Sequence, residues 1–376
     1  MKYKYLEINP SRILGLFDLF LRRLVVCCIY AALQSGASVD AADQVVTRNE
    51  TLFGKIESVS TEAVQLLPRG SASAAREIGV SDVVMIQFSD EPQDLIEAKR
   101  RLVKNNFVGA LGAIRQVDED EIQSASVAVR GEYAYVRAVA GGHVAMGAAG
   151  KISSALSSIK NVIDQFTRSI HYYELLEVAG DLEQALGRYD EAASWYKKIA
   201  LGPPPMVVRA GRLKGDVLAA EGRYPEAITE FEKVQSVDLV GGFVEQEKMM
   251  ACLGQAESLL SLGRFSEAAS LIRTMLSGSH PEEVPIATTN VLLGNAYSLL
   301  GRSLAEMKQD QDALIAYLTV DLVYGDAPET HAEALFQLFQ LWNSGGYPRR
   351  AEEVRKRLMK TYPQSTWATD LNPSTK

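Results

Sequence analysis

Cysteine, histidine and long apolar runs are scarce in this chain, and each scarcity removes a class of function. Of three cysteines in 376 residues, Cys27 and Cys28 share an N-terminal apolar run and Cys252 stands alone. No Cys-x-x-Cys pair or Cys/His cluster exists, so neither a zinc ribbon nor a disulfide framework is expected. The histidines, His143, His171, His280 and His331, pair with no His, Cys or acid at ligand spacing, so no metal site is expected. A Gly-x-Ser-x-Gly elbow is missing, and a lone Ser or Cys252 without a placed base is no nucleophile. Gly147-Ala148-Ala149-Gly150-Lys151-Ile152 approaches a phosphate-binding loop but has Ile152 where that loop requires Ser or Thr. The expectation is therefore no catalytic residue and no cofactor.

Positive charge is also in short supply. The net charge of −8 makes a phosphate backbone or an anionic lipid surface a poor principal partner. Apolar residues make up 47% of the chain, enough for a folded protein rather than a disordered one.

Only one apolar run is notable, the ten residues from Leu24 to Leu33 behind Arg22 and Arg23. A spanning helix needs about 20 residues. Joining the run to Ile13–Leu21 would place Asp18, Arg22 and Arg23 in lipid, at roughly 2.5 kcal/mol or more each. Basic residues, a short apolar core and the small-x-small pattern Val39-Asp40-Ala41 read as a secretory signal peptide over 1–41. An uncleaved anchor is the alternative. The mature chain is expected to be periplasmic or secreted, with no membrane insertion.

From Asp43 the hydrophobic period becomes two, with short runs at 44–48, 52–60, 63–67, 76–81 and 83–88. Gly54 inside a run marks a bulge or sharp bend. Residues 42–91 are therefore expected to form a small β unit closed on itself. The pattern Gly54-x-Ile56-x-x-Val59, Val64-x-Leu66 and Val83-x-x-Ile86-x-Phe88 resembles small SH3-like or Sm-like barrels. That resemblance implies either a cap on the following helices or a ligand-binding barrel.

Past Glu91-Pro92 the period turns helical, and one element recurs: a turn with glycine, an aromatic, then alanine. Leu186-Gly187-Arg188-Tyr189-Asp190-Glu191-Ala192 is followed by copies ending at Ala227 and Ala268, with looser ones elsewhere. The turn alanines Ala110, Ala155, Ala192, Ala227, Ala268, Ala313 and Ala351 are separated by 45, 37, 35, 41, 45 and 38 residues. Such periods mean a solenoid, because one helix pair cannot bury its own apolar face. In the third unit Gly180 lies twelve before Ala192 and Tyr196 four after it; Gly215, Ala227 and Phe231 repeat this. On these residues the chain resembles the tetratricopeptide repeat family over 92–366, with 367–376 as a tail. The fold expected is mainly α, an α-solenoid of helix hairpins behind the β unit. The layout also resembles exported repeat proteins of planctomycete-type bacteria, which close on segments like Ala313-Leu314-Ile315-Ala316-Tyr317-Leu318 and Tyr362-Pro363-Gln364-Ser365.

The tetratricopeptide resemblance implies that the first helix of each pair lines a concave, partner-binding groove. Carried over from the turn alanines, that face would hold Glu174, Glu177 and Asp181, then Arg209, Arg212 and Asp216. Further along come Met250, Leu253 and Glu257, then Asn295, Ser298 and Arg302, and finally Glu333, Phe336 and Gln340. Glu177, Asp181, Arg209, Arg212, Asp216, Arg302 and Phe336 are the candidate contacts. No unit carries the Lys and Asn pair with which some members clamp a terminal carboxylate. A non-enzymatic envelope scaffold binding a peptide or protein is the function implied. The alternatives are a ligand-binding barrel with the helices as spacer, and an envelope enzyme with a dispersed site.

Overall fold

The computed structural model describes residues 42–69, 74–278 and 286–371. The expected signal peptide or anchor, residues 279–285 with His280, and 372–376 of the expected tail lie outside them.

The alternating segment folds as five antiparallel strands, β1 (Asp43–Thr47), β2 (Thr51–Val59), β3 (Ala63–Pro68), β4 (Arg76–Gly79) and β5 (Val83–Gln87). Their order is β4-β3-β2-β1-β5. The pleat sends Val45, Val64, Leu66, Ile78 and Ile86 into one buried core. Gly54 sits where β2 crosses closest to β3, and a Cβ there would collide with the Leu67 carbonyl oxygen.

The expected barrel does not close. β4 and β5 stay as edges, paired only to β3 and β1 respectively. Residues 80–82 join these edges and span at most ~14 Å, whereas five flat strands would hold them ~19 Å apart. The sheet must therefore curl at that end. Ile170, which belongs to the helical part, enters the strand core at 4% exposure. The array thus completes the sheet's core in place of a closing ladder.

Sixteen α-helices follow among the described residues. Those of the first half are α1 (Gln93–Val103), α2 (Phe107–Ile114), α3 (Glu119–Ser124), α4 (Val127–Met146), α5 (Ile152–Gln165), α6 (Tyr172–Ala185), α7 (Tyr189–Ile199) and α8 (Pro204–Ala220). The rest are α9 (Tyr224–Gln235), α10 (Gly242–Ser261), α11 (Phe265–Gly278), α12 (Ile286–Glu306), α13 (Asp310–Val323), α14 (Pro328–Ser344), α15 (Pro348–Thr361) and α16 (Thr366–Asp370). Seven hairpins result: α1/α2, α4/α5, α6/α7, α8/α9, α10/α11, α12/α13 and α14/α15.

Six of the hairpins turn through one left-handed residue: Asn105, Gly187, Gly222, Gly263, Lys308 or Gly346. The recurring glycine of the sequence is this residue, since only glycine adopts that conformation without Cβ strain. In the second hairpin the turn is a 3₁₀ segment, Ala149–Lys151, instead.

The third, fourth and sixth hairpins are each held by a glycine under an aromatic ring. A Cβ added at Gly215 would lie 2.5 Å from Phe231 Cε1, and one at Gly301 2.8 Å from Tyr317 Cε1. Gly180 and Tyr196 stand in the same relation. Gly254 of the next first helix closes on the far side of Phe231, which is fully buried. The turn alanines Ala110, Ala192, Ala227, Ala268, Ala313 and Ala351 are buried at these crossings.

The second unit is the exception. Ala155 is only half-buried, whereas Ile152, Leu156 and Ile159 are buried with the spacing of Ala192, Tyr196 and Ile199. Ile152 holds the alanine's place, three residues before the position read from the sequence. Ala140, twelve residues earlier, is the matching small residue and is also buried.

First helices of successive hairpins touch one another, α4 with α6, α8 with α10, α10 with α12 and α12 with α14. Second helices pack between the first helices on either side. Wedging of this kind puts the first helices on the inside of the curve.

Candidate functional site

The inner face is built by repetition. Residues at one height on neighbouring first helices stand one repeat apart, so Glu177 of α6, Arg212 of α8 and Glu247 of α10, each 35 residues on, come together. Arg212 reaches Glu247 at 2.5 Å, Asp216 at 2.5 Å and Glu177 at 2.9 Å. Arg209 Nε lies 3.1 Å from Glu177 and 3.2 Å from Glu247. Glu247 is fully buried, and the Arg212 side chain is only 6% exposed. Burial alone would depress the Arg212 pKa, but Glu247, Asp216 and Glu177 together raise it well above its ordinary value. Burial raises Glu247 less than Arg212 and Arg209 lower it, so it stays below the usual carboxylate range.

Two carboxylates of this group are perturbed upward. Burial pushes Asp216 up to about 6 despite Arg212. Asp181 rises to about 7 through burial and the charge of Glu177, while accepting a 2.6 Å hydrogen bond from the Tyr196 hydroxyl.

A second polar cluster continues the seam toward the N-terminus. Lys99 of α1 lies 2.7 Å from Glu91 and 2.9 Å from Glu132 of α4. His171 Nε2 meets the other Glu132 oxygen at 2.9 Å and stacks on Tyr135 at 3.5 Å. Tyr135 donates to Glu174 at 2.7 Å. Glu91 is pushed up to about 7 by burial, against the pull of Lys99.

The β unit closes over this half of the inner face. Arg48, from the β1–β2 turn, donates to Gln246 of α10 at 2.9 Å and to the Ser81 carbonyl at 3.1 Å. Its guanidinium and that of Arg209 both lie over the Phe243 ring, at 5.2 and 5.0 Å. A cavity of about 110 Å³ remains at the junction, lined in part by Arg48, Ser81, His171, Glu174 and Arg209.

Toward the C-terminus the inner face is looser. Arg302 of α12 lies 3.5 Å from Glu257 and 3.8 Å from Glu333, with side-chain exposures of 39%, 62% and 17%. Ser298 donates to Glu333 at 2.9 Å and Thr330 to Asn295 at 2.5 Å. Gln340 is exposed. Phe336 is half-buried beneath Trp367 of α16, with ring centroids 5.2 Å apart.

The structure therefore joins Glu177, Arg209, Arg212 and Asp216 in one network, places Asp181 beside it on Tyr196, and leaves Arg302 and Phe336 apart from it. Sequence reasoning missed Glu247, Phe243 and Arg48. Counting back from Ala268 by the fourth unit's offsets gives Met250 and Leu253, because the fifth unit is six residues longer. Arg48 carries no local signal, since it joins the face across 198 positions.

No group of His, Cys, Asp and Glu able to hold a metal ion occurs among the described residues. Burial pushes the Cys252 thiol up to about 12, which suppresses the thiolate. No described helix is long and apolar enough to cross a membrane.

The sequence model of the tetratricopeptide repeat family matches residues 179–239 and 212–284. A search of curated proteins gives no match. Among solved structures, a tetratricopeptide repeat protein from Parabacteroides merdae is 16% identical, with a TM-score of 0.46 over 74% of this chain and 98% of that one. The apo form of RapI is 12% identical, with a TM-score of 0.49 over 74% and 79%. PilW, a widely conserved type IV pilus biogenesis factor, is 15% identical, with a TM-score of 0.45 over 62% and 96%. The matched segment, α6 through α11, is where left-handed glycine turns repeat most regularly, and this segment carries tetratricopeptide repeats.

Proposed function

We propose that the chain is a non-enzymatic scaffold of the cell envelope that holds a peptide or protein partner on the inner face of its C-terminal repeats. The observation that supports this is the contrast between the two halves of that face. In the N-terminal half the guanidiniums of Arg209 and Arg212 are paired at 2.5–3.2 Å and covered. An incoming group would have to break buried ion pairs at a cost of roughly 3–5 kcal/mol. Around Arg302 the pairs are long and that with Glu257 is exposed, worth about 0–1 kcal/mol, so a partner's carboxylate can replace Glu257 at little cost. Of the candidate contacts, Arg302 and Phe336 then belong to the recognition surface, together with Glu257, Glu333 and Gln340. Glu177, Arg209, Arg212 and Asp216 set the shape of the face, with Asp181 beside them. Export rests on the basic segment, short apolar core and small-x-small pattern of residues 1–41.

The test is selection from a random peptide library on the whole chain, followed by affinities for wild type and Arg302→Glu. Selected peptides should carry acidic residues and bind Arg302→Glu at least fivefold more weakly. Peptides that bind both proteins equally would move recognition off this face, and turnover in a broad hydrolase screen would contradict the non-enzymatic reading.

A further inference from the structure

A cavity of about 440 Å³ lies between the open side of the half-barrel, the start of α4 and the α5–α6 connection. Its walls are mostly apolar: Ile56, Val59, Ile86, Phe88, Phe166 and Ile170 face it. Such walls hold water poorly, since an ordered water requires two to four polar partners. The volume falls in the range of small-molecule sites, roughly 300–1,000 Å³, which favour junctions between structural units. Three charged residues line it: Glu57, Glu132 and Arg168. Both oxygens of Glu132 are already engaged, by His171 and Lys99. Glu57 is exposed on β2. Arg168, also exposed, makes no hydrogen bond or ion pair within the described residues. Ser169 and Thr167 flank it on the same connection.

We infer that this cavity is a binding site for a free amphipathic monocarboxylate, with its hydrocarbon body among Ile56, Val59, Ile86, Phe88 and Phe166 and its head group on Arg168. An unpaired guanidinium at the mouth of an apolar cavity selects an anion over a neutral head group. The walls select for chain length through the apolar area they remove from water. Neither the strands nor the helices enclose this space alone. The site is distinct from the inner face around Arg302, and its test is independent of the scaffold reading.

The experiment is calorimetric titration of the whole chain with octanoate, decanoate and decanol below their aggregation limits. Decanoate should bind saturably at one site, with affinity rising about fourfold per methylene over octanoate. Decanol should bind roughly fivefold more weakly, and Arg168→Ala should bring decanoate down to the decanol value. Glu57→Gln should strengthen decanoate binding. Ala128→Trp places bulk into the cavity from an exposed position on α4, so the fold should survive, as circular dichroism would verify, while both ligands lose their site. The inference is overturned by absence of saturable decanoate binding, by equal binding of decanoate and decanol, or by binding that both Arg168→Ala and Ala128→Trp leave intact. Capture on phosphatidylglycerol vesicles without binding of free decanoate would likewise overturn it in favour of a lipid surface.

Discussion

Removing the charge of Glu247 tests whether the inner face is a rigid framework or a solvated surface. Glu247 is fully buried and holds Arg212 at 2.5 Å and Arg209 at 3.2 Å. Glu247→Gln keeps the shape and one acceptor but strands two guanidiniums with one carboxylate fewer. Breaking a buried ion pair from one side costs roughly 3–5 kcal/mol. Arg212 retains Glu177 and Asp216, and Arg209 retains Glu177, so the lower end of that range, about 3 kcal/mol, is expected. Repeat arrays open locally rather than all at once, so the sensitive assay is native-state hydrogen exchange read at the amides of α6, α8 and α10. About 3 kcal/mol corresponds to roughly 150-fold faster exchange in the stable amides there. Arg302→Gln, which removes only long pairs of 3.5 and 3.8 Å, should change exchange in α12 less than about fivefold. Replacing Arg212 and Glu247 by Met and Asp216 by Asn together should cost less than Glu247→Gln alone, because Arg209 and Glu177 then remain as a pair and no charge of the network is left without a partner. Exchange in Glu247→Gln within about twofold of wild type would refute the reasoning, since the guanidiniums would then be solvated in solution.

Two further predictions follow from the same geometry. Ile170→Ala, which removes the side chain completing the sheet's core, should cost about 2–5 kcal/mol and open the β unit to protease before the array unfolds; unchanged cleavage within residues 43–91 would contradict this. Asp181, raised from 3.8 to about 7 by burial and Glu177, binds its proton more tightly folded than unfolded, so its contribution to stability falls as pH rises between those values. Urea midpoints at about pH 5.5 and about pH 8 should show wild type losing more than Asp181→Asn, and parallel losses in the two proteins would rule the account out.

How much of this was legible in sequence depends on the range of the interaction. The turn glycines, the alanines at the crossings and the aromatics four residues later are local requirements of one hairpin. The structure buries the alanines as read at Ala192, Ala227, Ala268 and Ala313, with an aromatic four residues on after Ala192, Ala227 and Ala313. Where a unit departs from the pattern, local reading slips. Ile152 replaces the small residue and Leu156 the aromatic in the second unit, and Ala155 drew the register off by most of a helical turn. The β unit slipped for another reason. Alternation specifies strands, but whether β4 and β5 pair depends on what fills the gap between them. That filler, Ile170, lies in the connection between the second and third hairpins.

By itself the sequence determined the class of the fold and its repeat, because these follow from period, turn conformation and side-chain size within about forty residues. It could not determine which inward residues stay available. Arg209, Arg212 and Arg302 occupy comparable places in their units, yet two are covered and one is exposed. Only the tertiary structure decided this, by laying the β unit over the N-terminal half of the inner face through Arg48 and Phe243. Burial, which turns a weak surface pair into a costly one to break, depends on that packing across the whole chain.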